Sequence, residues 1–209
     1  MEKIDFKKQE KSYYLPKDKP EIINIPTMNF ITISGKGNPN TSPEFQNALE
    51  LLYALSYTIK MSYKQEANPI ENFYEYVVPP LESLWWTENP EDIKDKDKFC
   101  YKVMIRQPEF VDEKIFHWAK EQVDSKKKLN TAKAQLEQIT DGLCVQMMHI
   151  GSFDEEEKTF AQMQDFLEEN GYQKRKEIPS THREIYLSDF RKTAPEKLKT
   201  VLRMKVEKL

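Results

Sequence analysis

The chain has 209 residues, 38% of them hydrophobic and 32% charged, with a net charge of −3. That length suits one large domain or two fused small modules, and an aromatic content of 11% points to a packed core rather than to disorder. The acidic balance leaves no basic field to hold nucleic acid, no apolar run approaches a bilayer span, and the N-terminal "MEKIDFKKQE" has no apolar signal region, so a soluble, cytoplasmic protein is expected.

Residues 1–20 are lysine-rich and read as an N-terminal arm, too short for a helix-turn-helix. The alternating, isoleucine-rich "EIINIPTMNFITISGKG" (21–37) reads as a strand or a bent strand pair. A helix follows over 40–64, with Ser42 as its cap and Pro43 at the first helical position. Phe45, Leu49, Leu52, Ser56, Ile59 and Tyr63 form its apolar stripe. "NFYEYVVPPLESLWW" (72–86) and "KFCYKVMIRQP" (98–108) are strand-like, whereas "VDEKIFHWAKEQVDSKKK" (111–128) and "TAKAQLEQI" (131–139) look helical. The lysine run at 126–128 is a solvated face, since acidic residues alternate with it.

A similar layout then recurs. "GLCVQMMHIG" (142–151) reads as a strand, 152–172 as a helix ending at Gly171, and "THREIYLSD" (181–189) and "KTVLRMKVEKL" (199–209) as two more strands. Strand, glycine, acidic helix start and two strands therefore occur twice. The expected fold is α+β, with duplicated strand–helix–strand–strand modules and a ligand cleft between two sheets. The first module covers about 21–108, a helical linker about 109–140 and the second module about 141–209. Cys100 and Cys144 lie in apolar, strand-like runs and are expected to be buried free thiols in a reducing compartment.

The period-two rule places Glu184 and Tyr186 on one face of their strand, and Glu82, Leu84 and Trp86 on one face of theirs, opposite Leu81 and Trp85. Each module is thus expected to turn a carboxylate and an aromatic ring away from its own helix. Trp85 then packs under the helices and Trp86 lines a cavity with Glu82. A solvated strand face would equally explain Glu82 alone. Glu184 stands out because Ile185, Tyr186 and Leu187 frame it. A carboxylate held among such groups has a raised pKa and suits either a general base or the capture of a lipophilic cation. His117, His149, His182 and the cysteines show no metal-ligand spacing, so neither a metal nor a cofactor is expected. "GKG" (35–37) lacks the rest of a dinucleotide loop, and His149 reads as a satisfied strand-end histidine.

The segments "PPLESLWW", "YKVMIRQP", "GLCVQMMHIGSFDEEEKTFAQMQDFLEENGY" and "HREIYLSDFRKTAPEKLKTVLR" resemble the GyrI-like (gyrase-inhibitor-like) small-molecule-binding family, over 21–209. Phe190 and Ser83 stand where the family pattern has proline and glycine. The resemblance implies pseudo-twofold symmetry and a hydrophobic, planar small-molecule ligand on aromatic rings beside a glutamate, whose matching position here is Glu184. It also implies one of three roles. The first is hydrolysis of cyclopropane-containing DNA-alkylating toxins. Glu184 would then be the base, Tyr186 or one of Tyr53, Tyr57 and Tyr101 the hydrogen-bond donor, and Trp86 and Trp118 the stacking rings. The second is non-catalytic binding or sensing of hydrophobic cations. The third is a gyrase-inhibitor-like interaction. A monomer or homodimer fits each.

Overall fold

The computed structural model describes residues 3–64, 70–177 and 179–209. Two short helices, α1 (Phe6–Gln9) and α2 (Lys11–Tyr14), precede β1 (Glu21–Lys36), α3 (Pro43–Lys60), β2 (Leu81–Thr87) and β3 (Phe99–Gln107). Then come α4 (Glu113–Lys127), β4 (Gln135–Ile150), α5 (Glu156–Glu169), the short β5 (Tyr172–Lys174), β6 (His182–Tyr186) and β7 (Lys199–Lys208). The helix starts follow their caps. The Ser42 hydroxyl accepts from the Phe45 amide at 3.3 Å, and Asp112 accepts from the Ile115 amide at 2.8 Å, each satisfying a donor that the first turn leaves free.

The strands pair in the order β4-β1-β3-β2-β6-β7, and β4 also pairs with β7, closing a six-stranded antiparallel barrel. The expected pair of sheets facing each other across a cleft is therefore one closed sheet. The long strands explain this. β1 and β4 each run 16 residues and bend, so that β1 pairs with both β3 and β4, and β4 with both β1 and β7. β4 and β7, the two ends of that order, pair with each other, which removes both free edges.

Two expected elements differ. Residues 131–139 look helical because alanine, lysine, glutamine and leucine favour helices, yet Gln135–Ile139 form the start of β4, registered against Met28–Thr32 of β1. Pairing and side-chain contacts outweigh the intrinsic preference here: Thr27 and Thr140 hydroxyls meet at 2.6 Å, and Lys102 donates to Glu137 at 2.8 Å. The strand read over 72–86 begins only at Leu81, because Pro79 and Pro80 have no amide hydrogens to give a ladder. The preceding Tyr76 instead makes an isolated bridge to Ile4 of the N-terminal arm.

Helices α3 and α4 cover the outer face of β1, β3 and β2, burying Phe45, Leu49, Leu52, Leu55 and Ile59 against Ile31, Ile33, Trp85, Val103 and Ile105. Helix α5 covers β4 and β7 with Met163 and Leu167 on Val145, Leu202 and Met204. The arm is docked: Phe6 and Tyr14 are buried against Tyr76, Ile185 and Val201. The Arg106 guanidinium lies over the Phe6 ring and pairs with Glu10. Cys100 and Cys144 are buried and unpaired. No described helix is long and apolar enough to cross a membrane.

Gly35 permits one close approach. It faces Tyr101 across β1 and β3, and an added Cβ would stand 2.3 Å from the tyrosine oxygen. Tyr101 cannot move away readily, because its ring is wedged edge-on to Phe45 at 5.0 Å and beside Trp85 at 5.8 Å. Gly35→Ala is expected to destabilise the fold by about 1–3 kcal/mol, the range for overpacking a filled site, read as a lower urea midpoint. An unchanged midpoint would show that this aromatic cluster yields.

Candidate functional site

Strand β6 is short and central, between β2 and β7. Its alternation sends Arg183 and Ile185 inward and His182, Glu184 and Tyr186 outward. The register sets Ser83 opposite Glu184 and Trp85 opposite His182, so Ser83 and Trp85 share the outer face with Glu184 and Tyr186. Glu184 and Tyr186 do share a face, as the spacing predicts, but it is the face on which the helices pack. Glu82 lies on the opposite face, inside the barrel. The expected placing of both carboxylates away from the helices is thus corrected: antiparallel pairing of β2 with β6 fixes them on opposite sides.

On the outer face, one hydroxyl gathers three partners. The Tyr186 oxygen lies 2.7 Å from Ser83 Oγ, 3.0 Å from Trp85 Nε1 and 2.7 Å from Glu184 Oε2. The indole can only donate. The phenol donates its single proton to the carboxylate, so the Ser83 hydroxyl donates into the remaining lone pair. Burial first, and the Glu184 charge second, push the Tyr186 phenol well above its usual range. Glu184 Oε1 lies 2.9 Å from His182 Nε2, and that nitrogen is the donor when the carboxylate is ionised, because an ionised carboxylate only accepts. The Phe160 ring of α5 packs edge-on to the His182 imidazole at 4.9 Å.

A second carboxyl arrives from α5. Glu156, the first residue of that helix, is buried, and its Oε1 has no hydrogen-bond partner. One donor atom from each of Glu156, His182 and Glu184 lies within 4.8 Å of the others. Burial, and then the neighbouring Glu184, push the Glu156 carboxyl well above the ordinary carboxylate range. Two neighbouring carboxyls, one of them with a raised pKa, can serve as an acid–base pair. His149 fixes the turn that carries Glu156, through Thr159 Oγ1 at 2.9 Å and the Ser152 carbonyl at 3.0 Å, and is satisfied as expected.

A cavity of about 940 Å³ opens beside this cluster. Leu49, Tyr53 and Tyr57 of α3 line it, with Pro79, Pro80, Tyr186 and Phe190. Tyr186 is the wall between the cavity and Glu184, and its ring stands 5.8 Å from both Phe153 and Phe190. Of the residues expected at a ligand, Tyr53 and Tyr57 line this cavity and Trp86 does not. Trp86 is half-buried on the far face of β2. Tyr101 is wedged in the core, and Trp118 of α4 packs against the same core. Trp85 packs on Phe45 of α3 at 5.6 Å, as expected.

Glu82 serves the barrel interior. Arg183 Nη1 donates to Glu82 at 2.8 Å and Nη2 to Asp141 at 2.9 Å. Arg183 Nε is also 2.7 Å from Asp141 Oδ2, close enough for an ion pair though not aligned for a hydrogen bond. Burial alone would lower the Arg183 pKa, but Asp141 and Glu82 outweigh it and hold the guanidinium charged. Burial raises the Glu82 carboxyl despite Arg183, whereas at Asp141 the arginine charge wins and holds the carboxyl below its usual range.

Sequence reading missed Glu156, Ser83 and Phe153. Glu156 sits in a run of three glutamates at a helix start, where acidic residues are ordinary, and only the packing of α5 onto β6 singles it out. Since burial raises the Glu156 pKa, the folded state holds that proton more tightly than the unfolded chain does. Its contribution to stability is present below the unfolded value near 4.5 and is lost as pH rises through the folded value. Glu156→Gln is therefore expected to be about 1–3 kcal/mol more stable than wild type at pH 8, the scale of one unsatisfied buried polar group, with little gain at pH 4. Equal urea midpoints at pH 8 would count against a strained buried carboxyl.

A barrel with helices on its outer face, an aromatic cavity of drug-like size and a buried carboxyl pair beside it define a small-molecule-binding module. The chain belongs to the GyrI-like small molecule binding domain family, which matches residues 18–207. It is similar to a hydrolase from Listeria innocua, with 46% identity over 99% of this chain and 100% of that one and a TM-score of 0.93. An uncharacterized conserved protein from Listeria innocua is similar too, at 47% identity over 98% and 100% of the two chains and a TM-score of 0.92. The EcmrR C-terminal domain shares the fold at 15% identity over 91% and 98%, with a TM-score of 0.52. No curated protein shows a significant sequence match.

Proposed function

We propose that the protein is a hydrolase that adds water across the strained cyclopropane ring of a planar DNA-alkylating toxin. The observation that carries this is the buried Glu184–Glu156 pair directly behind the aromatic wall of the cavity. Similarity to a protein described as a hydrolase supports the reaction class. Tyr53, Tyr57 and Phe190 would stack on the planar body of the ligand, and the strained carbon would reach past Tyr186, alongside Phe153 and His182. Glu184 takes a proton from water as the oxygen attacks that carbon. The ring carbon–carbon bond breaks, its electron pair moves to the conjugated oxygen, and Glu156 delivers the balancing proton. Tyr186 is the positioning residue, since its proton is committed to Glu184.

In this reading the two strand–helix–strand–strand runs are copies of one unit related by a pseudo-twofold axis. The repeat of pairings supports this: β1 with β3 and β3 with β2 on one side, β4 with β7 and β7 with β6 on the other. The buried, unpaired cysteines suit a reducing cytoplasm. The second reading is a non-catalytic binder of hydrophobic cations; it draws on the aromatic rings of the cavity, whose charged lining is balanced, with Asp5, Glu50 and Asp189 against Lys7, Lys127 and Arg191. Incubating the protein with a planar cyclopropane-containing alkylator should yield, by mass spectrometry, a product heavier by one water. Loss of the alkylator no faster than in buffer would overturn the hydrolytic reading. Tight binding without product would favour the second.

A further inference from the structure

We propose that Glu156, His182 and Glu184 form a site for a divalent transition-metal ion, Zn²⁺ in particular, and that an ion bound there switches hydrolysis off. The second half rests on the hydrolytic reading above; the first does not. Two carboxylates and an imidazole nitrogen are a donor set that Zn²⁺ accepts, with three protein ligands and water in the fourth position. The three donor atoms already lie within 4.8 Å of one another, and His182 Nε2 is 2.9 Å from Glu184 Oε1. Zinc bond lengths of about 2.0–2.2 Å put neighbouring donors of a tetrahedral site roughly 3.4 Å apart, so the His182–Glu184 pair at 2.9 Å opens slightly and donors as far as 4.8 Å apart close modestly.

Glu156 Oε1 points to a ligand independently. It is a buried oxygen with no partner, which is costly unless something fills the gap. The surrounding groups act as an outer shell. Tyr186 occupies Glu184 Oε2 and so presents Oε1, and His149 holds the first turn of α5 through Thr159 and Ser152. The His182 side chain is 28% exposed, which leaves a path for the ion. Protons compete with a metal ion for carboxylate and imidazole donors in general, so affinity should fall in acid. An ion on Glu184 takes the lone pair that would otherwise accept the water proton, and one on Glu156 leaves no acid.

The test is calorimetric titration of the full chain with Zn²⁺ at pH 7.5 and pH 6, alongside Glu156→Gln, His182→Gln and Glu184→Gln, each checked for native circular dichroism. One ion per chain is expected, bound more weakly at pH 6. Each substitution should weaken binding by at least the 10–100-fold, roughly, that loss of an outer-shell partner brings. Absence of stoichiometric binding, or binding that His182→Gln and Glu156→Gln leave intact, would overturn the site. Turnover of the alkylator by the wild type with and without one equivalent of Zn²⁺ tests the switch: inhibition that a chelator reverses supports it, and unchanged or increased turnover overturns it. If the wild type binds Zn²⁺ at these residues yet hydrolyses nothing, the metal site stands and the hydrolytic reading fails.

Discussion

Replacing Glu184 by glutamine is expected to lower turnover by about 10²–10⁴-fold, the usual worth of a positioned general base. The substitution keeps the shape of the side chain. Its carbonyl can still accept from Tyr186, and its amide can face His182 if that ring adopts the other tautomer. The fold and the aromatic cavity should therefore survive, and a neutral planar ligand should bind nearly as well, because Tyr53, Tyr57 and Phe190 lie outside the change. What is lost is the basic oxygen. The pH dependence separates the two carboxyls. If Glu156 supplies the proton, wild-type turnover falls as pH rises through its raised value, since above it the acid is empty. The binder reading forecasts the reverse pattern: Glu184→Gln would weaken cationic ligands selectively, with no product from either protein. Affinity and product formation measured on this one variant decide the matter, and unchanged turnover would remove Glu184 from the mechanism.

Arg183→Met is expected to destabilise the protein by about 3–5 kcal/mol, the scale of breaking a buried ion pair by removing one partner. Arg183 is almost wholly buried and stands between Glu82 and Asp141, both equally hidden. Methionine fills much of the volume but supplies no charge. Two carboxylates are left in the barrel with Arg203, which is occupied with Gln146, and the charge of Lys205 acting on Asp141. The sign with pH follows. Protonating the carboxyls removes the repulsion and the desolvation together, so the gap between variant and wild type should narrow as pH falls. Adding Glu82→Gln and Asp141→Asn should restore much of the loss, because neutral amides can be buried with hydrogen bonds among themselves. Urea midpoints of the single and triple variants measure this. A triple variant no more stable than the single one would mean that Arg183 acts by packing.

The predictions that held rest on local chemistry. Ser42 and Pro43 start a helix because a hydroxyl and a ring without an amide hydrogen suit a first turn, whatever lies elsewhere. His149 is satisfied at a strand end. The failures came from residues whose state depends on distant chain. Gln135–Ile139 carry helix-forming residues and become strand because β1 lies alongside them. Trp86, expected beside a ligand, lies on the face of β2 opposite Ser83 and Trp85 and outside the lining of the cavity at Tyr186 and Phe190, a placement set by pairing between distant strands.

By itself, the sequence determined the alternation of β6, and with it the pairing of Glu184 with Tyr186 on one face, because neighbouring side chains of any strand point to opposite sides. It also determined the Ser42-capped start of α3. Only the tertiary structure decided which face is which. Closing the barrel through β2–β6 and β1–β4 turned Glu82 inward to Arg183 and Glu184 outward to the helices, a choice that depends on register between segments about 100 residues apart. Only the packing of α5 brought Glu156 to Glu184. Periodicity is written in neighbouring residues, whereas burial and the pKa shifts it causes are set by whatever the fold places on top.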